Sequence, residues 1–350
     1  MLKNKNIFFQ KKILIYGLGK SGLSAFKFLK KKNEIYLFDD KKNTESIKEI
    51  QRSLISYIKL LRKDIDYIII SPGIDINKCS LRNYLKKNSR KVYTDLDIFY
   101  NFYTKNKNIA ITGTNGKSTT ARILYEILRD QNFDVRLVGN IGNPILLEKN
   151  ITTKTFFVIE VSSYQLEYSK LFRSNISVIL NISPDHLERH KTLKNYIKAK
   201  FKIVKNQTKK DHAILNINNF YIKREISTQK FLPKLIKIYK YTNIKFLKKI
   251  NNSYFYSEGN RENLSFVLQV TKILKIKKNN LLKTLKKFKG LKYRQQIIYR
   301  SKDLTIINDS KSTSFSSSVS ILKSMTNVIW IVGGMAKKND KFLLSKINCK

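Results

Sequence analysis

Gly113-Thr114-Asn115-Gly116-Lys117-Ser118-Thr119 places glycines, a lysine and hydroxyls in one short run. The apolar segment Asn108-Ile109-Ala110-Ile111-Thr112 precedes it, and Ile123, Leu124, Ile127 and Leu128 follow at helical spacing. Strand, glycine turn, lysine, hydroxyl and helix together make a phosphate cradle. Backbone N–H groups and the helix N-terminus face the anion, Lys117 adds a point charge, and the Ser118 or Thr119 hydroxyl is available to Mg²⁺. Ile111 stands where the first glycine of G-x-x-x-x-G-K-[ST] belongs, so an ordinary βα turn is the plainer alternative.

Further strand ends carry candidate ligands. Phe156-Phe157-Val158-Ile159 delivers Glu160, followed by Ser162-Ser163-Tyr164-Gln165-Leu166-Glu167. A carboxylate at a strand end beside a phosphate loop is placed to ligate Mg²⁺; alone, it reads as a solvated helix start. The segment 177–182 runs into Ser183-Pro184-Asp185-His186, and His186 is one of only 3 histidines. It suits a metal or phosphate site; a helix cap or a buried histidine is the alternative. Val135 to Val138 leads into Gly139-Asn140-Ile141-Gly142-Asn143-Pro144, where an amide between glycines can hydrogen-bond a ligand.

A second phosphate pattern lies near the start. Ile13-Leu14-Ile15-Tyr16 reads as a strand, Gly17-Leu18-Gly19-Lys20-Ser21-Gly22 opens a helix carrying Leu23, Phe26 and Leu29, and Ile35-Tyr36-Leu37-Phe38 ends in Asp39-Asp40. A full G-x-G-x-x-G with an acidic residue about 20 positions on is the dinucleotide fingerprint. It accommodates NAD or any nucleotide diphosphate and does not choose between them. Tyr67-Ile68-Ile69-Ile70 runs into Ser71-Pro72-Gly73, a tight turn at a strand's C-terminal end, where open α/β sheets bind ligands.

The elements that must position these residues alternate strand and helix, which predicts α/β architecture. Residues 94–103 form a short amphipathic segment, and Lys105-Asn106-Lys107 reads as a linker, placing a boundary near residue 104. Leu193, Ile197, Phe201 and Val204 mark a helix that also carries Lys200, by periodicity a lysine like many others. Residues 205–290 are rich in Lys and Asn; Leu264 to Leu274 and Leu281 to Phe288 read as helices, with Gly259 to Asn263 leading in, and Gly290 marks a break. Strand and loop resume in Leu304-Thr305-Ile306-Ile307 before Asn308-Asp309-Ser310-Lys311-Ser312-Thr313, and in Val328 to Val332 before Gly333-Gly334.

At 350 residues, two or three domains are expected. The net charge of +45 invites a nucleic-acid reading, but the lysines are spread along the chain among Asn and Ile, as AT-rich codon drift produces, and no nucleic-acid motif accompanies them. Two distant cysteines, Cys79 and Cys349, exclude a disulfide framework and suit a reducing compartment. Residues 1–10 are basic without an 18-residue apolar run, so neither a signal peptide nor a membrane span is expected. With only 12 Gly and 4 Pro in the chain, their concentration in the turns above points to ligand loops.

In their order along the chain these motifs resemble those of the Mur ligase family. The carriers are Gly17 to Ser24, Ser71-Pro72-Gly73, Gly113 to Thr119, Gly139 to Gly142, Glu160 to Glu167, Asp185-His186-Leu187-Glu188-Arg189, the Lys200 of Tyr196-Ile197-Lys198-Ala199-Lys200, and Asn308 to Thr313. The run Ser162 to Glu167 and the short first domain favour the branch that adds D-glutamate. The resemblance implies three Rossmann-like parallel-sheet domains, the third incomplete: 1–104 for the UDP-sugar, 105–290 for ATP, and 291–350. Lys20, Ser21, Asp39, Asp40, Ser71 and Asn140 would meet the UDP-sugar. Gly113, Thr114, Asn115, Gly116, Lys117, Ser118, Thr119, Asn260, Arg294 and Asp309 would meet ATP. Ser118, Glu160, His186 and Lys200 would hold Mg²⁺, Lys200 as a carbamate; Lys117, His186, Lys200 and Lys311 would be catalytic.

The implied reaction joins UDP-N-acetylmuramoyl-L-alanine and D-glutamate through an acyl phosphate, in a cytoplasmic monomer with neither nucleic-acid nor membrane partners. The chain departs from the family pattern at Gly259, Ser314 and Ala336, where His, Asn and Asp are usual, and it stops at Lys350 where the family runs on by roughly half a domain. A sister ligase or folylpolyglutamate synthase, a nucleotide binder without turnover and an NAD-dependent oxidoreductase built on residues 11–40 remain the alternatives.

Overall fold

The computed structural model describes residues 6–41, 48–242, 244–312, 315–323 and 325–335. In the first sheet, β1 (Lys12–Tyr16), β2 (Glu34–Phe38), β3 (Tyr67–Ile70) and β4 (Val92–Tyr93) run parallel in the order β2-β1-β3-β4. Ile13 and Ile15 pack with Ala25 and Phe26 of the helix Lys20–Leu29, while Leu14 and Tyr16 pack with Leu60 and Leu85. Helices on both faces are why β1 reads as an unbroken apolar run instead of an alternation.

The second sheet has six parallel strands: β5 (Asn108–Thr112), β6 (Val135–Gly139), β7 (Phe156–Glu160), β8 (Ile176–Ile179), β9 (His212–Asn216) and β10 (Lys234–Ile238). Their order is β10-β9-β8-β5-β7-β6. From β5 the chain goes to the edge strand β6, returns to β7 beside β5, and then crosses to β8 on the other side. The C-terminal end of β5 is therefore a topological switch point, where crossover connections diverge and leave a crevice. β1, flanked by β2 and β3, makes the equivalent point in the first sheet.

The two sheets are joined by the helix Asp95–Phe102, whose Phe99 meets Phe157 of β7 with ring centroids 4.8 Å apart. Asn106, expected in a linker, is buried and donates to Thr152 O and Thr155 O at 2.7 and 2.9 Å. The stretch 205–290 holds β9, β10 and the helices Phe220–Thr228, Ile244–Ile250, Glu258–Ile273 and Lys278–Lys287. Gly259 to Asn263 lie inside the third of these helices, not ahead of it.

The third segment departs from the expected parallel pattern. β11 (Gln296–Arg300) and β12 (Thr305–Asn308) form an antiparallel hairpin, followed by the helix Phe315–Leu322. Val328 to Val332 is no strand; Ile329 and Ile331 are 83% and 93% exposed. A parallel strand needs a neighbour reached by a crossover, whereas a hairpin closes locally. Thr313, Ser314 and Ala336 lie outside the described residues.

Candidate active site

Gly116 caps the helix Lys117–Arg129 with φ at +82°, and a Cβ placed there would lie 2.1 Å from Asn263 Oδ1. Glycine alone satisfies both the left-handed backbone and that close approach. The turn is braced by the end of β8. Asn115 N donates to Asn181 Oδ1 at 2.8 Å, Thr114 N to Asn181 O at 2.9 Å, and Ser183 N to Thr114 Oγ1 at 3.0 Å. Asn181 is held in turn: its Nδ2 donates to Glu262 Oε1 at 3.2 Å, which also receives Asn216 Nδ2 at 2.9 Å. Burial raises the pKa of the Glu262 carboxyl, and these amide donors partly offset the rise.

Two lysines converge on one carbonyl. Lys117 Nζ donates to Gly113 O at 2.9 Å and Thr114 O at 2.8 Å, and Lys200 Nζ donates to the same Gly113 O at 2.7 Å. Lys200 is only 1% exposed. Burial, reinforced by the charge of Lys117, holds its amine well below the usual lysine range; Asp185 and Glu160 act in the opposite direction. Both burial and the neighbouring cation act against the charged form of this amine.

Glu160 ends β7 at 1% exposure. Its Oε1 receives Asn140 Nδ2 at 2.8 Å, while Oε2 has no hydrogen-bond partner among the described residues. A buried carboxylate oxygen without a donor is costly unless a cation meets it. With the buried Ser118 at the helix start, this gives hard oxygen donors of the kind Mg²⁺ takes while keeping waters and phosphates in its remaining positions. No cluster of three or more His, Cys, Asp or Glu forms a ready-made metal cage among the described residues.

His186 is left-handed, φ +55°, at the start of the helix Leu187–His190, and its N–H donates to Asp185 Oδ1 at 3.0 Å. Its Nδ1 lies 3.0 Å from Tyr164 Oη, and Nε2 is 3.4 Å from Asp185 Oδ2. The ring stands 6.3 Å from that of Tyr196, whose hydroxyl meets Thr114 Oγ1 at 3.1 Å. One aromatic side chain thus separates His186 from the phosphate loop. A strained non-glycine backbone at such a place is a common mark of function.

The first-domain candidates are knitted to one another. Asp39 Oδ2 accepts from Leu18 N and Oδ1 from Lys41 N, Asp40 accepts from Tyr16 Oη at 2.6 Å and from Ser80 Oγ, and Ser71 Oγ donates to Gly17 O at 2.6 Å. Ser21 hydrogen-bonds the buried Asp95, and Lys20 is exposed. Asn140 lies apart from these, bonded to Glu160.

The later candidates gather around Tyr254 and Gln295. Asn260 Nδ2 donates to Tyr254 O at 2.8 Å and Gln295 Oε1 at 3.1 Å, so its amide is engaged within the protein. Asp309 accepts from Gln295 N at 3.0 Å and Ser312 Oγ at 2.6 Å, and Lys311 N donates to Tyr293 O at 3.0 Å. Burial pushes the Tyr254 hydroxyl up to about 12, with Thr119, Asp309 and Arg294 beside it. Through Tyr254 this group reaches the start of the phosphate-loop helix.

Sequence reasoning missed Asn181, Glu262, Asn263 and Tyr196. Asn181 sits at a strand end and was legible there; the others became visible only once helices packed on the loop. His190 was missed too: burial first, then Arg189, His186 and Lys200, push it down to about 4, and its Nε2 lies 3.0 Å from Ser163 Oγ.

A phosphate loop at a switch point, a buried lysine on its carbonyl and an unpaired carboxylate on the adjacent strand define an α/β nucleotide-phosphate-binding protein. The chain matches the Mur ligase middle domain over residues 111–282 and the Mur ligase MurD-like, N-terminal domain over residues 11–92. It is similar to the UDP-N-acetylmuramoylalanine–D-glutamate ligase of Rickettsia prowazekii, 33% identical over 353 residues, covering 95% of this chain and 79% of that protein. The ligase of that name from Francisella tularensis is 35% identical over 341 residues, covering 96% of this chain and 77% of that one. Among solved structures, UDP-N-acetylmuramate:L-alanyl-gamma-D-glutamyl-meso-diaminopimelate ligase from Neisseria meningitides has a TM-score of 0.55 at 15% identity, over 81% of this chain and 99% of that one. UDP-N-acetylmuramate-alanine ligase from Thermotoga maritima has a TM-score of 0.53 at 17% identity, over 90% of this chain and 77% of that one. At those identities the similarity is one of fold. The chain belongs to the Mur ligase family.

Proposed function

We propose that this chain joins D-glutamate to UDP-N-acetylmuramoyl-L-alanine, with conversion of ATP to ADP and phosphate, in the synthesis of peptidoglycan precursors. The observation that carries the reading is the convergence of Lys117 and Lys200 on Gly113 O, with the unpaired Glu160 Oε2 on the neighbouring strand. Similarity over nearly the whole chain to ligases of that name supports the choice of substrates.

The loop of residues 113–119 receives the phosphates of ATP through the Lys117 ammonium and the N–H groups of residues 116–119 at the helix start, with Asn260, Arg294 and Asp309 around the nucleotide. Lys20, Ser21, Asp39, Asp40, Ser71 and Asn140 orient the UDP-sugar. An oxygen of its terminal carboxylate attacks the γ-phosphorus and ADP leaves. The amine of D-glutamate attacks the resulting acyl phosphate, phosphate leaves, the amine proton passes to solvent, and an amide remains. Lys311 stands near the reacting carbonyl. Ser118, Glu160, His186 and Lys200 would hold Mg²⁺, which would supply charge neutralisation at the transferring phosphoryl group. Burial beside Lys117 disfavours the charged form of Lys200, which suits carbamylation: the neutral amine adds CO₂ and releases one proton, leaving a carbamate anion facing Lys117.

Domains divide at 1–104, 105–290 and 291–350, and the protein works as a cytoplasmic monomer. No helix among the described residues is long and apolar enough to cross a membrane. The test is phosphate release by purified protein. Release that needs ATP, UDP-N-acetylmuramoyl-L-alanine and D-glutamate together supports the assignment; release with L-alanine or meso-diaminopimelate in place of D-glutamate moves it to a sister ligase.

A further inference from the structure

The turn Ser71-Pro72-Gly73-Ile74 belongs to the first sheet's domain, and the helices Ser163–Glu167 and Leu187–His190 belong to the second. Arg189 spans the gap between them, with its side chain only 7% exposed. Nε donates to Glu167 Oε2 at 2.8 Å, while the terminal nitrogens cross to the turn, reaching Ile74 O at 2.6 Å and Gly73 O at 3.4 Å. The guanidinium lies 5.2 Å from the Tyr164 ring centre and 5.5 Å from that of Tyr168. Tyr168 adds a second strut, its hydroxyl accepting from Ile76 N at 3.4 Å. Tyr164 Oη continues the path to His186 Nδ1 at 3.0 Å.

A buried guanidinium must have its fork of N–H donors satisfied, and here the turn's carbonyls complete it. The position of the turn relative to His186 is therefore set within hydrogen-bond tolerance. Domain docking itself is secured elsewhere. Asp97 Oδ1 of the helix Asp95–Phe102 accepts from Ser169 Oγ, Lys170 N, Leu171 N and Phe172 N at 2.7–3.2 Å. Arg189 acts on the crevice side instead.

We propose that Arg189 is a positioning residue for the ligase reaction. By gripping Gly73 O and Ile74 O from the helix that begins after His186, it fixes where the turn presents the UDP-sugar carboxylate to the phosphoryl-transfer site. This rests on the reading that the Ser71 turn meets the UDP-sugar. Arg189 itself touches no reacting atom. Its loss loosens the UDP-sugar and leaves the phosphate loop as it was, so the two substrates respond differently.

The experiment compares Arg189→Gln, Arg189→Lys, Tyr168→Phe and Ser71→Ala with the parent chain, by phosphate release at varied UDP-N-acetylmuramoyl-L-alanine and then at varied ATP. Loss of charge-assisted hydrogen bonds predicts that kcat/KM for the UDP-sugar falls about tenfold or more in Arg189→Gln. Tyr168→Phe, which loses one weaker strut and disturbs the fold least, falls about two- to fivefold. KM for ATP and its Mg²⁺ dependence stay within about twofold, and Arg189→Lys recovers only part of the loss, because an ammonium lacks the planar fork. Equal losses for both substrates in Arg189→Gln and Tyr168→Phe, or an unchanged kcat/KM for the UDP-sugar, overturn the proposal. If Ser71→Ala leaves the UDP-sugar constants unmoved while Arg189→Gln shifts them, the reading of the turn fails. If Ser71→Ala shifts them and Arg189→Gln does not, the positioning role fails.

Discussion

Replacing Asp97 measures how firmly the first two domains are docked. The carboxylate is wholly buried. Oδ2 accepts from Thr94 N at 2.9 Å and Thr94 Oγ1 at 3.0 Å, capping its own helix. Oδ1 accepts across the domain junction from Ser169 Oγ at 2.8 Å, Lys170 N at 2.9 Å, Leu171 N at 2.7 Å and Phe172 N at 3.2 Å. In Asp97→Asn the remaining oxygen keeps the junction, and the new amide nitrogen faces the Thr94 N–H, donor against donor. The lost cap costs about 1 kcal/mol, and weaker neutral bonds across the junction bring the total to roughly 3 kcal/mol. Asp97→Ala leaves the junction donors without their acceptor and costs on the order of 5 kcal/mol. Urea unfolding followed by far-UV circular dichroism reads the loss. Calorimetry is expected to split one transition, shared by the first two domains, into separate ones. Stabilities of both variants within about 0.5 kcal/mol of the parent would refute the reasoning, since surface substitutions alone produce changes of that size.

Other outcomes follow from the same geometry. Gly116→Ala meets a left-handed backbone and Asn263 Oδ1 at 2.1 Å, so it is expected to destabilise by about 2 kcal/mol and weaken ATP binding tenfold or more by calorimetry. Burial raises the Asp95 carboxyl to about 6, so the folded state binds more protons than the unfolded one between roughly pH 4 and pH 6, and stability declines as pH rises through that window. Asp95→Asn should therefore raise the melting temperature near neutrality, by the equivalent of about 3 kcal/mol, and change little near pH 4. His190 is depressed to about 4, so its contribution is whole above the unfolded value of about 6.5 and is lost as pH falls toward 4; His190→Gln should flatten that acid limb, and parallel curves would contradict it. Glu160→Gln removes the unpaired carboxylate and should abolish Mg²⁺-dependent phosphate release while nucleotide binding without Mg²⁺ persists, read by equilibrium titration.

The local chemistry was legible in the residues themselves. β1, β5 and β7 are buried on both faces, which forces continuous apolar runs, and a turn that admits a phosphate needs glycine where the backbone turns left-handed. Those constraints act within a few residues, so Gly113 to Thr119, Glu160 and His186 could be singled out from spacing alone. Where sheet order, packing across domains or pairing between distant segments decides, the sequence was silent. Lys200 has the periodicity of any helix lysine, and only packing of the helix Leu193–Lys205 brings its amine onto Gly113 O. Asp97 and Arg189 look like ordinary surface charges until the domain junction buries them. The start of the helix Glu258–Ile273 was misread because a polar first turn carries little periodic signal, and the strand at Thr305–Asn308 was legible while its antiparallel partner Gln296–Arg300 was not. Turn chemistry is written in neighbouring residues, whereas the burial that shifts Lys200, His190 and Asp95 exists only once segments a hundred residues apart exclude water from one another.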